Sequence, residues 1–294
     1  MKKILIILLF LSLLLPLSGS AWAQDYYFQL PQKVVHAYWE ADGTLTLNYV
    51  YVFANDPSGH IIDFVDVGLP NGNFDEQTIS ATVDGKPVSY ISESEFQGEG
   101  GYGVAVALGG NSIPPGRSGT VMVHIPGIRG VLYPDSQNDA DASAVLIPSY
   151  FISSVAYGST DTTVTFHLPP GVQPTEPRWH EAPSGFPSEP ETGMDENGRI
   201  YYTWRSASAT PYGQYTFGAS FPASYVPSSA IVRFNFGAWL EENIGLFMTL
   251  ACCGVGIVPV ILSAFGASKR KTQYVPPKIS IEGNGIKRGL TAVE

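Results

Sequence analysis

The 294-residue chain carries a formal net charge of −10, concentrated in residues 24–243, where 24 Asp and Glu oppose 8 Lys and Arg. An acidic surface of this kind repels phosphate backbones and excludes nucleic acid as a partner. The two cysteines, Cys252 and Cys253, are adjacent in an apolar stretch, so no disulfide staples the acidic region and its stability must come from packing.

In chain order, residues 1–23 read as a signal peptide. Lys2 and Lys3 form its basic start, Ile4 to Leu17 its apolar stretch, and Ala21-Trp22-Ala23 supplies small residues ahead of cleavage before Gln24. The alternative is an uncleaved signal anchor. Residues 24–243 are long enough for one large domain or two of ordinary size.

The expected fold class is an all-β ectodomain of two antiparallel β-sandwich-like modules followed by a single transmembrane helix. The first module is placed at 24–132. Lys33 to Glu40 meets Asp42-Gly43, a hairpin signal, and Thr44 to Phe53 then alternates, with Leu45, Leu47, Tyr49, Tyr51 and Phe53 on one face. Ile61 to Leu69 alternates again, Thr78 to Val83 pairs with Pro87 to Ile91 across Asp84-Gly85, and Tyr102 to Leu108 and Thr120 to Ile125 add two strands.

Residues 133–144 break this pattern and read as an acidic linker. Asp135, Asp139 and Asp141 with Asn138 are the densest oxygen-ligand group, and hard cations such as calcium are bound by carboxylates on turning loops. The central Gly and distal Glu of an EF-hand loop are missing, which favours a solvated connection over a metal site.

The second module is placed at 145–237. Thr162 to Leu168 alternates with Val164, Phe166 and Leu168 on one face, and Glu196-Asn197-Gly198 turns the chain into Arg199 to Arg205. Pro169 to Pro190 holds seven of the 23 prolines and is expected to be a long surface loop.

Ile244 to Gly266 is 23 residues without a charge. At about 1.5 Å of rise per residue, a helix of this length crosses a hydrocarbon core of about 30 Å. Glu241 and Glu242 precede this predicted transmembrane helix at 244–266, and Lys269, Arg270 and Lys271 follow it. That places the tail, 267–294, in the cytoplasm and the β region outside.

No constellation for catalysis is evident. His36, His60, His124, His167 and His180 are far apart and show no zinc spacing such as HxxxH or HExxH. There is no Gly-x-Ser-x-Gly elbow and no phosphate-cradling loop, so the expectation is a protein that is not an enzyme and uses no cofactor. Trp179, Tyr201, Tyr202 and Trp204 raise the alternative of a sugar-stacking face, which would display a flat exposed ring triplet.

The β domain opens with Asp42-Gly43-Thr44-Leu45-Thr46-Leu47, and after the span the tail carries Tyr274, Pro276, Pro277, Gly289, Leu290, Thr291 and Glu294. With the signal peptide, this order resembles the bacterial predicted membrane proteins with domain of unknown function 2207. The resemblance implies an uncharacterised envelope protein that continues beyond this point, and it supplies no catalytic residue. Thr291-Ala292-Val293-Glu294, a helix capping box, gives the same expectation of a longer cytoplasmic region.

The functional expectation is a single-pass membrane protein whose exported β domain acts in interaction or sensing, with the lipid bilayer and an envelope or cytoplasmic protein as partners. The alternatives are a carbohydrate-binding or cell-wall adhesion module and an envelope hydrolase. A hydrolase predicts an open cleft where Asp or Glu converges with His, whereas a binding module predicts closed sandwiches with one exposed patch.

Overall fold

A computed structural model describes residues 25–88, 90–94 and 101–233. The signal peptide, the predicted span with Cys252 and Cys253, and the tail lie outside the described residues. Among the described residues, no helix is long and apolar enough to cross a membrane.

The described chain is all-β. Its strands are β1 (Phe28–Trp39), β2 (Leu45–Asn55), β3 (Phe64–Leu69), β4 (Ser80–Val83), β5 (Lys86–Val88), β6 (Tyr90–Glu93), β7 (Tyr102–Ala107) and β8 (Ser118–Ile128). They continue as β9 (Leu132–Pro134), β10 (Asp141–Leu146), β11 (Ala156–Tyr157), β12 (Thr160–His167), β13 (Arg178–Trp179), β14 (Glu191–Met194), β15 (Ile200–Ala209) and β16 (Phe217–Pro222).

Side-chain alternation decides which face each strand buries. In β2, Leu45, Leu47, Tyr49, Tyr51 and Phe53 are buried, and Thr46, Asn48, Val50 and Val52 stand half-buried on the other face. The turns follow residue chemistry. Gly43, at φ 81°, closes the β1–β2 hairpin while the Asp42 carboxylate accepts from the Thr44 amide and hydroxyl. Asp84 and Gly85 both take positive φ between β4 and β5, as a type I′ hairpin requires.

Nine strands form the main sheet, in the order β14-β15-β12-β1-β2-β8-β4-β5 with β11 beside β1. Strand β1 sits at its centre, antiparallel to β2 and parallel to β12. A four-stranded sheet, β13-β16-β10-β9, and a three-stranded sheet, β3-β7-β6, complete the fold. One contiguous apolar core joins the strands of all three sheets. Trp204 of β15 links two of them, with its ring 5.6 Å from Phe166 of β12 and 5.3 Å from Phe217 of β16.

Residues 133–144 run through the end of β9 and a turn into β10, and strands from both sides of this stretch share the main sheet. The proline-rich stretch 169–190 contains β13, which pairs with β16.

Candidate functional site

The outer face of the main sheet, opposite the core, carries the polar partners of the buried alternation. Val35, Ala37 and Trp39 point inward, so His36 and Tyr38 point outward. In the same way, inward Val164 and Phe166 leave Thr165 and His167 on the outer side of β12. Parallel pairing sets Tyr38 opposite His167 and His36 opposite Thr165. Two histidines 131 positions apart thereby come into contact, with His36 Nδ1 3.0 Å from His167 Nε2.

The third member comes from the β14–β15 hairpin. Asp195 opens the turn Asp195-Glu196-Asn197-Gly198, in which Gly198 takes φ 71°. Its Oδ1 accepts from the Asn197 and Arg199 amides, both at 2.9 Å, so the backbone fixes the carboxylate's direction. Oδ2 then lies 2.9 Å from His167 Nδ1.

This geometry assigns the protons. A carboxylate only accepts, so His167 carries its proton on Nδ1, and its Nε2 accepts from His36 Nδ1–H. His36 Nε2 is left with the free lone pair. Burial lowers the pKa of His36, reinforced by the neighbouring His167. Burial also lowers His167, against the opposing pull of Asp195. Desolvation pushes the Asp195 carboxyl up, but the Arg199 and Asn197 amides and His167 together outweigh it and hold the group below its usual range. At neutral pH the chain is therefore carboxylate, neutral imidazole, neutral imidazole.

Tyr38 supports the relay. Its ring stacks on His167, with centroids 4.1 Å apart and planes 14° from parallel. The Arg199 guanidinium lies 5.9 Å from the centre of the Tyr38 ring and is held by Glu40 through a 2.7 Å bond. Burial, then the Asp195 charge, raises the Tyr38 phenol, which keeps its proton at neutral pH.

His36, Tyr38, His167 and Asp195 line an open cleft of about 540 Å³, with Glu191, Met194, Glu196, Asn197, Tyr201 and Thr203 around them. A second hollow of about 480 Å³ continues along the same face, sharing Glu191 and Thr203 and ending at Gln32, Pro187 and Arg205.

The sequence-derived candidates sit elsewhere. Asp135 is turned inward, with Oδ1 accepting from the Gln137 and Asn138 amides and from Arg178, and Oδ2 from the Ser220 hydroxyl. It ties the 133–144 turn to β13 and β16. Asp141 accepts from Asn138 Nδ2 at 3.0 Å, and Asp139 is exposed. Among the described residues, no group of three or more His, Cys, Asp or Glu could hold a metal ion. Of the aromatic candidates, Tyr202 and Trp204 are buried, leaving Trp179 and Tyr201 without a flat triplet.

Of the remaining histidines, His60 contacts the Ile61 carbonyl, His124 bonds Asn48, and His180 lies against Ser220 and Asp135. Residue-by-residue reading missed Asp195. The available signal was an Asp opening a turn, a position whose carboxylate bonds the backbone two residues on.

No family model matches the chain, and no curated protein matches it. Solved structures that match part of the chain include an M1 zinc metallopeptidase from Deinococcus radiodurans. It is 13% identical with a TM-score of 0.42, and the match covers 68% of this chain and 43% of that one. A variant of that enzyme bound to a Tyr-Ser-Ala substrate is 14% identical with a TM-score of 0.41, covering 67% and 43%. Legionella pneumophila aminopeptidase A in complex with aspartic acid is 10% identical with a TM-score of 0.38, covering 67% and 22%. The chain thus spans about two fifths of the length of the first two.

The expectation of an interaction or sensing ectodomain is corrected by the site itself: it called for closed sandwiches with one exposed patch, whereas Asp195, His167 and His36 converge at an open cleft. Zinc does not fit the residues of the cleft. His36, His167 and Asp195 bond one another in a line, whereas zinc needs lone pairs converging on one point at about 2.0–2.2 Å.

Proposed function

We propose that the β domain is an envelope hydrolase whose Asp195–His167–His36 relay activates water against a neutral or cationic ester or amide. The observation that carries this reading is the unbroken hydrogen-bonded line from carboxylate to free imidazole nitrogen at an open cleft. In the sequence, the histidines stand too far apart to suggest an enzyme. Strand pairing supplies the convergence of Asp and His that the hydrolase alternative requires.

In the proposed reaction, His36 Nε2 takes a proton from water as its oxygen attacks the acyl carbon. The imidazolium that forms is stabilised through His167 by the Asp195 charge. His36 then returns the proton to the leaving oxygen or nitrogen as the acyl bond breaks, so the protein ends as it began. Tyr38 clamps His167, and Glu191, Asp195 and Glu196 make the cleft unfavourable to anionic substrates.

The same proposal places the domain outside the cell, anchored in the bilayer by the predicted span 244–266, with the described residues on either side of 133–144, up to Arg233, working as one body. Hydrolysis of p-nitrophenyl acyl esters and aminoacyl p-nitroanilides by the detergent-solubilised full chain tests it. The expected result is turnover that falls about 10²–10⁴-fold in His36→Ala and Asp195→Asn. Absence of turnover across the panel, or full turnover in His36→Ala, would overturn the reading.

A further inference from the structure

A third hollow, of about 210 Å³, lies away from the relay, where the starts of β1 and β3 meet the end of β2 and the loop after Tyr150. Its walls are apolar. Phe28, Phe53 and Phe151 pack edge to face with centroids 5.2–5.7 Å apart, and Tyr26 meets Phe64 edge-on at 5.2 Å. Phe64, 39% exposed, and Ile152, 51% exposed, stand at its mouth.

Among the described residues, Asp66 is the one carboxylate that lines the cavity, and no Lys or Arg does. Asp66 Oδ1 accepts from the Ser94 hydroxyl, and a carboxylate has further lone pairs to offer. Nearby Asp63 is bonded by the Tyr26 hydroxyl, adding a second negative group beside the same ring. The volume is below the about 300–1,000 Å³ of sites for drug-sized ligands, so the occupant is of fragment size.

We propose that this cavity binds a compact aromatic ammonium ion, with the aryl group among Phe28, Phe53 and Phe151 and the ammonium on Asp66. Aromatic walls suit both parts, since ring faces attract cations and ring edges pack against a guest ring. Burial raises the Asp66 carboxyl despite the Ser94 bond, and a bound cation would relieve that cost by holding it ionised.

The test is calorimetric titration of the full chain in detergent with phenethylammonium, its neutral analogue 2-phenylethanol and its anionic analogue phenylacetate. Phenethylammonium is expected to bind at least tenfold more tightly than either analogue. Asp66→Asn, checked for native near-ultraviolet circular dichroism, is expected to abolish that preference while leaving 2-phenylethanol binding unchanged, and Val155→Phe, which narrows the wall, to weaken all three. Equal binding of phenylacetate, an unaltered preference in folded Asp66→Asn, or no binding of any probe would overturn the proposal.

Discussion

Lys33 is a cation placed in the core. It is 1% exposed, and its ammonium donates to the Ser149 carbonyl at 3.3 Å. Desolvation lowers its pKa from 10.5 to about 8. Between those values the unfolded chain holds a proton that the folded chain has lost, so stability should rise as pH climbs from about 8 towards 10.5. Below that window the folded state carries the full cost, about 3 kcal/mol at about 1.4 kcal/mol per pKa unit. Lys33→Met, similar in volume and without the charge, should therefore gain about 1–3 kcal/mol at pH 7 and lose the rise above pH 8. Denaturant titration of the full chain in detergent, followed by tryptophan fluorescence at pH 7 and pH 9, checks both outcomes. Nothing in the local sequence marks Lys33 as buried. In β1 the pairing to β2 shifts register between Gln29 and Gln32, and inward facing resumes at Lys33. A two-residue period read straight through from Phe28 misses that shift.

At the scale of elements, hairpins were the most legible feature, because Asp-Gly and Asn-Gly demand conformations that few other residues supply. Gly43 and Gly85 both take positive φ in hairpins, Gly85 together with Asp84 and Gly43 without Asp42, and their surroundings differ. A Cβ at Gly43 would stand 2.2 Å from the Ala230 Cβ, whereas one at Gly85 would meet nothing within 4 Å. Gly85→Ala should therefore cost only the left-handed backbone penalty of about 1–2 kcal/mol, and Gly43→Ala measurably more, because Ala230 must also move. Comparing the thermal midpoints of the two variants checks the order. The alternation of β2 and β12 could likewise be read directly from their residues, and it placed His167 opposite Phe166 and Leu168. The partner of His167 could not be read in this way, since a parallel pair needs a long crossover and leaves no turn signal between its strands.

That parallel contact between β1 and β12 organises the described β region. It brings the two halves of the β region into one sheet, and the acidic turn between them, conspicuous in composition, is tied back by Asp135. A shared core predicts a single cooperative unfolding transition for residues 25–233, with fluorescence and far-ultraviolet circular dichroism coinciding. Two separated transitions would contradict it. The same contact builds the relay, so the central claim is that His36, His167 and Asp195 act together on a proton. The most direct measurement is the pH dependence of kcat/KM for the best-turned-over acyl substrate. Because burial lowers both imidazoles, the activity should rise with pH through a midpoint below the ordinary histidine value of about 6.5. In His167→Gln the midpoint should shift and the plateau fall by at least tenfold. A profile that is flat between pH 5 and 8, or one that His167→Gln leaves unchanged, would contradict the account.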